Sequence, residues 1–574
     1  MPLPQASASA NTTARTVLDT LSAGPFHLSP SDLAWVRRTR DAMSTDDKLR
    51  QLFILVSPAS DLADIDRLMD LRPAGVHCMV GRDFDAAWHC ARRILERAGV
   101  PPFITGDLEG GGHGFPCCTP LPNPLGLAAA DDLALSREVA SVVAREGRAL
   151  GFNWSFTPVA DISAAIASAI VGTRSFGSNI DTIMAQCVTH VQALQAQGLA
   201  ATAKHWPGEG HDARDQHLVT TVNPLSQAEW MASYGRIYRA LFDAGVMTVM
   251  SAHIAWPAWL QRTTSGLATC VPACLSPELN QDLLRRELGF NGLVVSDATL
   301  MAGLSSWGDR ATVVPQVIES GCDLFLFSRH EEADIAHMRE GLRSGRLSAQ
   351  RLEDAVTRVL GLKAALGLHR KSIDERLPPL AQARSMVRSA AHQQVAEQAA
   401  AASVTLVKDV RATLPLSPHT HRRVLVLSDE GCTPVPGLAP RSLNVLLDGL
   451  RDAGFALRRF DPEHEPSAAD TDLVLYLLGQ ESMLTLSRIH IDWRRLQPGL
   501  LQSMERWWHD IPTVMVSFGH PYHLYDAPRV PVYINAYSAV EPMQRAVLRK
   551  LLGTEPFDGR SPVDALCGLP DAAW

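Results

Sequence analysis

The sequence predicts an α/β protein: an N-terminal (β/α)8 TIM-like barrel followed by a smaller α/β layered domain. Two observations carry this. Short apolar runs alternate strictly with longer amphipathic stretches, eight times over. Polar, chemically capable side chains then recur where those apolar runs end, which is where a barrel of this kind collects its functional groups. The eight runs are 53–56, 75–79, 102–107, 153–161, 199–206, 246–253, 293–297 and 323–328. Each is short enough for a strand and apolar enough to be covered on both faces, as parallel strands are. The stretches 85–98, 131–150, 180–197, 226–244 and 276–288 show helical spacing, several of them opened by Ser or Asp caps.

A charged segment with two adjacent prolines, 371–383, reads as a linker and places the first domain at 1–370, with a connecting stretch 371–394 and a second domain at 395–574. A helix is expected over 384–402. Apolar runs then resume at 404–407, 424–427, 473–478, 513–517 and 530–534, with helical patterns at 442–453 and 498–509 between them.

A chain of 574 residues, 46% hydrophobic, is long enough for more than one core. The first twenty residues lack a basic segment followed by an apolar run, and no apolar stretch is long enough to span a membrane. The ten cysteines lack paired zinc-type spacing and suit reduced thiols in a cytoplasm, with non-classical export as the alternative. A net charge of −8 without a long basic run argues against nucleic acid as partner.

The densest chemistry lies between Ala203 and His217. Lys204 and His205 end an apolar run, and Pro207, Gly208 and Gly210 then break it. In Asp215-Gln216-His217 the carboxylate can fix one imidazole nitrogen and leave the other to move a proton. Further polar residues at strand ends are Asp107, Glu109, Asp161, His253 and Asp297. A competing arrangement is a metal-dependent hydrolase using His205, Glu209, His211, Asp215 and His217, since imidazole and carboxylate are common zinc ligands. A non-catalytic sugar-binding protein is a second alternative. Trp154, Trp206, Trp256 and Trp259 read as core rather than as sugar platforms.

Five motifs in order resemble glycoside hydrolase family 3: Ile104-Thr-Gly-Asp107-Leu-Glu109-Gly-Gly, Gly151-Phe-Asn-Trp-Ser-Phe-Thr-Pro158-Val-Ala-Asp161, Gly172-Thr-Arg174-Ser-Phe176-Gly, the segment from Lys204 to His217, and Gly292-Leu-Val-Val-Ser-Asp297-Ala. The second half resembles the family's C-terminal α/β sandwich through Val404-Thr-Leu-Val-Lys408, Leu414-Pro-Leu416 and Tyr533-Ile-Asn-Ala-Tyr537-Ser. The resemblance implies a retaining, exo-acting β-glycosidase that needs no cofactor or metal, with carbohydrate as its partner. Asp297 matches the nucleophile, and Asp215 with His217 matches the acid/base dyad of the β-N-acetylhexosaminidase branch. Asp107, Arg174, Lys204 and His205 match sugar-contacting positions. Two departures bear on the sugar: Gly112-His113-Gly114-Phe115 stands where arginines are usual, and Glu209 stands where a His is usual. N-acetyl-β-hexosamine is the expected sugar, with a β-glucosidase or a β-glycoside phosphorylase as alternatives.

Overall fold

The structure, a computed structural model, describes residues 16–111, 114–432 and 441–574. Gly112 and His113, half of the departure that bears on the sugar, lie outside the described residues. Ten strands come first: β1 (Ile54–Ser57), β2 (Gly75–Cys78), β3 (Phe103–Gly106), β4 (Trp154–Ser155), β5 (Thr202–Trp206), β6 (Thr221–Val222), β7 (Thr248–Ser251), β8 (Ile254–Ala255), β9 (Leu293–Ala298) and β10 (Leu324–Leu326). They form two four-stranded parallel sheets, β1-β2-β3-β4 and β10-β9-β7-β5, and a small two-stranded one, β6-β8.

Strands β2, β3, β5 and β7 are buried throughout, which explains why they read as continuous apolar runs rather than alternating ones. The helices between them start on side-chain caps: Asp83 for Phe84–Arg97, Asp132 for Leu133–Ala149 and Asn179 for Ile180–Ala196.

The sequence expectation at 153–161 shortens to two strand residues. Pro158 has no N–H to donate, so the regular ladder stops before it. The chain nevertheless keeps pace with β5: Thr202 N–H donates to Thr157 O at 2.8 Å, Lys204 N–H to Pro158 O at 3.3 Å, and Ala160 N–H to Lys204 O at 2.6 Å. This carries Asp161 alongside His205. The expected helix 226–244 divides at Ser233 into Gln227–Ala232 and Tyr234–Asp243. Glu278–Glu287 is π-helical. The pair β6-β8 carries no sequence signal, because two-residue strands leave no periodicity to read.

The second half holds β11 (Thr405–Asp409), β12 (Arg423–Asp429), β13 (Ala456–Arg459), β14 (Leu473–Leu478), β15 (Thr513–Ser517) and β16 (Val532–Asn535), in one six-stranded sheet of order β11-β16-β15-β14-β12-β13. Only β11 runs antiparallel to its neighbour. Apolar clusters cover both its faces, one against Asn444–Asp452 and Glu541–Leu551, the other around Trp507 and Trp508. The helix expected at 498–509 is a short 3-10 turn, Gln502–Met504. Gly499 turns the chain in a left-handed conformation there, and the two tryptophans are drawn onto the sheet. Strand β13 was not expected, since its alternating Ala-Leu-Arg-Arg edge is not an apolar run. The segment 371–383 is not an irregular linker: it holds a short helix, Ile373–Arg376, and the start of another, Leu380–Met386, and the helix expected over 384–402 begins only at Ala390, capped by Ser389, and runs to Ser403. Among the described residues no helix is long and apolar enough to cross a membrane.

One buried cation lies away from the strand ends. Lys363, fully buried, donates to Gln51 Oε1 at 2.8 Å and stands 5.1 Å from the centre of the Phe103 ring. Burial pushes its ammonium down to about 7. The unfolded chain therefore binds more protons than the folded one between that value and the ordinary lysine range, so this group makes stability rise with pH across that window. Lys363→Met should raise Tm most near and below neutral pH, and the gain should shrink towards pH ~10. A gain that is the same at both ends of a Tm-versus-pH series would contradict this.

Candidate active site

Every sequence-predicted site residue is at or just after the carboxyl end of a parallel strand, or on a loop that follows one. Three charge clusters form there.

In the first, Glu109 is the hub. Its carboxylate takes Arg174 Nε and Nη2, each at 2.8 Å, and lies 2.6 Å from Lys204 Nζ; Lys204 also donates to Asp107 Oδ1 at 2.8 Å. Glu109, Arg174 and Lys204 are buried, whereas the Asp107 side chain is 40% exposed. Burial alone would lower the Lys204 ammonium and the Arg174 guanidinium. The carboxylates of Asp107 and Glu109 outweigh it at Lys204, and Glu109 foremost outweighs it at Arg174, so both stay above their usual ranges. Desolvation would raise the Asp107 carboxyl, but Lys204 and then His77 hold it below the usual carboxylate range. His77, on β2, places Nε2 3.7 Å from Asp107 Oδ2, and burial brings its ring down to about 4.

The second cluster centres on Asp161. Its Oδ1 accepts the main-chain N–H of His205 at 3.2 Å and of Glu209 at 2.8 Å, while Oδ2 lies 2.6 Å from His205 Nδ1. His205 Nε2 is thereby left to face outward from the pair. Glu209 is buried; its Oε2 accepts from Gln216 Nε2 at 3.0 Å and its Oε1 has no hydrogen-bond partner among the described residues. Burial, and then the Asp161 and Asp215 carboxylates, push the Glu209 carboxyl well above its usual range.

The third cluster joins the loop to β9. His217 Nδ1 lies 2.7 Å from Asp215 Oδ1, which also accepts the His217 main-chain N–H at 2.8 Å. Gln216, between them and fully buried, accepts the His253 N–H at 3.0 Å. Asp297, near the end of β9, accepts the Ala298 N–H at 2.7 Å. Burial would raise its carboxyl, but the rings of His205, His253 and His217 and that N–H outweigh it and hold it below the usual carboxylate range.

The structure thus gathers Asp107, Arg174 and Lys204 around Glu109, pairs His205 with Asp161, and sets Asp297 within the field of His217 and His205. Glu109, Asp161, His77, His253 and Gln216 were not among the sequence-predicted site residues. Glu109, Asp161 and His253 had the signal of a polar residue at a strand end; His77 and Gln216 had none.

The five residues of the metal alternative do not come together. His211 Nδ1 lies 3.2 Å from the Tyr234 hydroxyl, and Asp215 is engaged with His217. Among the described residues, one three-residue group brings its donor atoms within 4.8 Å of one another: Asp161, His205 and Glu209. Both Asp161 oxygens there already face N–H donors of His205 and Glu209. The four tryptophans are buried, with Trp206, Trp230 and Trp256 in one stacked and edge-on cluster.

The buried ion cluster makes a stability prediction. Removing Glu109's charge leaves two buried cations short of a partner, whereas Asp107 is accessible to water. Glu109→Gln should therefore lower stability by about 3 kcal/mol or more, and Asp107→Asn by much less, read as the Tm difference between the two variants. Equal losses would contradict the hub role.

Residues 86–362 match the glycosyl hydrolase family 3 N-terminal domain. A Cellulomonas fimi protein named beta-N-acetylglucosaminidase/beta-glucosidase is 41% identical over 566 residues, covering 96% of this chain and 99% of that protein. A beta-hexosaminidase of Stenotrophomonas maltophilia is 34% identical over 251 residues, 42% of this chain and 72% of that protein. Among solved structures, beta-glucoside phosphorylase BglX superposes with a TM-score of 0.88 at 34% identity, covering 96% of this chain and 99% of that one. With a full-length relative at this identity, and with the five motifs converging on one set of strand ends, the chain belongs to glycoside hydrolase family 3 and is a glycosidase that acts on β-glycosides.

Proposed function

We propose that this enzyme removes terminal N-acetyl-β-hexosamine residues with retention, using Asp297 as nucleophile and the Asp215–His217 pair as acid/base. The observation that carries the reading is the 2.7 Å contact between His217 Nδ1 and Asp215 Oδ1, on a loop whose imidazole acts electrostatically on Asp297. In the first step an Asp297 carboxylate oxygen bonds to the anomeric carbon as the glycosidic C–O bond breaks. His217 gives its Nε2 proton to the departing oxygen. In the second step His217 takes a proton from water, whose oxygen bonds to the anomeric carbon and releases Asp297. Asp215 orients the ring throughout and balances the imidazolium before the first proton transfer and after the second.

Asp107, Lys204 and His205 are positioned to hold sugar hydroxyls, Asp107 being the most open of them. Arg174 spends two nitrogens on Glu109, and its Nη1, 3.5 Å from Ile170 O, is the donor left for a ligand. The catalytic part is a closed eight-stranded barrel in this reading. Parallel bridges Trp154↔Ala200 and Val159↔Lys204 join β4 and its continuation to β5, and Phe53↔Phe325 joins β1 to β10. For the domain limits 1–370, 371–394 and 395–574, the main apolar clusters of the two halves part within the helix Ala390–Ser403, whose Ala396 and Ala399 belong to the first and Ala400 to the second. The ten unpaired thiols support a cytoplasmic site of action.

A second reading, transfer to phosphate, is favoured by the 0.88 TM-score to a beta-glucoside phosphorylase. A neutral imidazole beside the nucleophile does not repel an incoming anion as a carboxylate would. Turnover of aryl β-glycosides with and without the 2-acetamido group, in the presence and absence of inorganic phosphate, tests both readings. Preference for the N-acetyl substrate and free sugar as product support the first; a sugar 1-phosphate supports the second.

A 2-fluoro glycoside with an activated leaving group should label Asp297. Because that carboxyl is held low, the inactivation rate should stay level down to about pH 4, the ordinary aspartate range, and fall only below it. Labelling at Glu109 or Asp161 would overturn the assignment. His217→Ala should lose roughly 10²- to 10⁴-fold on substrates with poor leaving groups and much less on activated ones. A uniform loss across leaving groups in a kcat/KM series would remove His217 from the proton-transfer role.

A further inference from the structure

The Asp215 carboxylate has one oxygen engaged by His217, and its second oxygen is met from the other half of the chain. Thr485 N–H donates to Asp215 Oδ2 at 2.9 Å. Thr485 follows β14 on a loop that leaves the six-stranded sheet and enters the region of the strand ends described above. Four contacts seat that loop before it reaches Asp215. Asn123 Nδ2 donates to Glu481 Oε2 at 2.8 Å. Thr173 N–H donates to Ser482 Oγ and Ser482 N–H to Thr173 Oγ1, both at 2.9 Å. Met483 N–H donates to Ala169 O at 2.9 Å.

The first half of the chain is shaped to admit this loop. A Cβ on Gly172 would come 2.4 Å from Ser482 Oγ, and a Cβ on Gly111, which has φ +55, would come 2.4 Å from Glu481 Oε2, so a side chain at either position would push against the loop. Thr485 itself has φ +63, a left-handed conformation in which a β-branched residue is strained. Such a conformation persists where surrounding contacts over-determine it, and it is found at functional sites. Here the turn it makes is what delivers the N–H to a side chain that is 1% exposed.

We propose that Thr485 is a positioning residue for the acid/base pair: its main-chain N–H locks the Asp215 carboxylate, so the six-stranded-sheet half of the chain sets the orientation of the His217 proton donor. A carboxylate held only by the histidine two residues on can turn about its side-chain bonds and carry the imidazole with it. A third donor from a separate element removes that freedom. The inference rests on His217 being the general acid.

Thr485→Pro removes the N–H and cannot adopt the left-handed turn. Expected is a graded loss in kcat/KM, on the order of 10-fold for poor leaving groups, a part of the roughly 10²- to 10⁴-fold that general acid catalysis supplies, and a much smaller loss for activated ones. Thr485→Gly keeps the N–H and takes the turn without strain, so it should recover the activity that Thr485→Pro loses. In an Asp215→Ala background Thr485→Pro should cost nothing further, because its target is gone. Thr173→Val, which weakens only the seating of the loop, should give a smaller loss with the same grading, and serves if Thr485→Pro does not fold. A loss independent of leaving group, no loss at all, or full additivity with Asp215→Ala overturns the proposal. If His217→Ala itself shows no grading, the acid/base reading fails; if His217→Ala is graded and neither loop variant is, the tether alone fails.

Discussion

The carboxylate of Asp161 is the constraint on which the rest of the site depends. It is fully buried and unavailable to solvent, yet it meets three donors: the His205 and Glu209 main-chain N–H groups and the His205 ring. Those bonds fix where β5 stops being a strand and how the following loop departs. The loop then carries Glu209, Asp215, Gln216 and His217 in turn. A buried carboxylate without such donors would be costly; with them, the same group determines the direction of some dozen residues of chain. The interrupted strand around Pro158 is what brings Asp161 to that place, since the chain beyond the proline still runs beside β5 without forming a regular ladder.

Charge at the strand ends is largely paired within the protein. Glu109 answers two buried cations, and Asp107 completes the set at the open side, where a ligand can compete for it. Pairs of this kind add little net stability compared with apolar packing, but losing one member leaves an uncompensated buried charge. They therefore hold their partners in fixed directions, which is the property a sugar-binding surface needs. Asp297 follows a different logic. Among the described residues no lysine or arginine pairs with it, and several imidazoles and one peptide N–H together oppose its desolvation and hold its carboxyl below the usual range.

Much of this was legible in the sequence, for physical reasons that differ by element. Parallel strands buried on both faces leave uninterrupted apolar runs, so β1, β2, β3, β5, β7 and β9 stood out. Helices with an Asp or Ser cap announce their own start. The site residues on strand ends were visible because polar groups there break an apolar run abruptly. Hidden from that logic were elements decided by tertiary contact. The two-residue strands β6 and β8, the edge strand β13, and the loss of helix at 498–509 all depend on neighbours distant in sequence. His77 lies inside an apolar run and looks like core until Asp107 is placed 3.7 Å from it. Thr485 lies 270 positions from Asp215, in a stretch with no motif.

Glu209 links these strands of argument. In the turn after β5 the Glu209 side chain stands beside Asp161 and Asp215, and burial and then those two carboxylates push its carboxyl well above the usual range. Its Oε2 accepts from Gln216 Nε2. Gln216 in turn accepts the His253 main-chain N–H, and His253 Nε2 lies 2.9 Å from the Ala298 carbonyl, next to Asp297. The turn that follows Lys204 and His205 is therefore connected by hydrogen bonds through Gln216 and His253 to the residue beside Asp297. The upward shift of the Glu209 carboxyl eases its repulsion with Asp161 and Asp215 at the first link of that connection, so the burial of this side chain and its hydrogen bond with Gln216 act together in holding the turn.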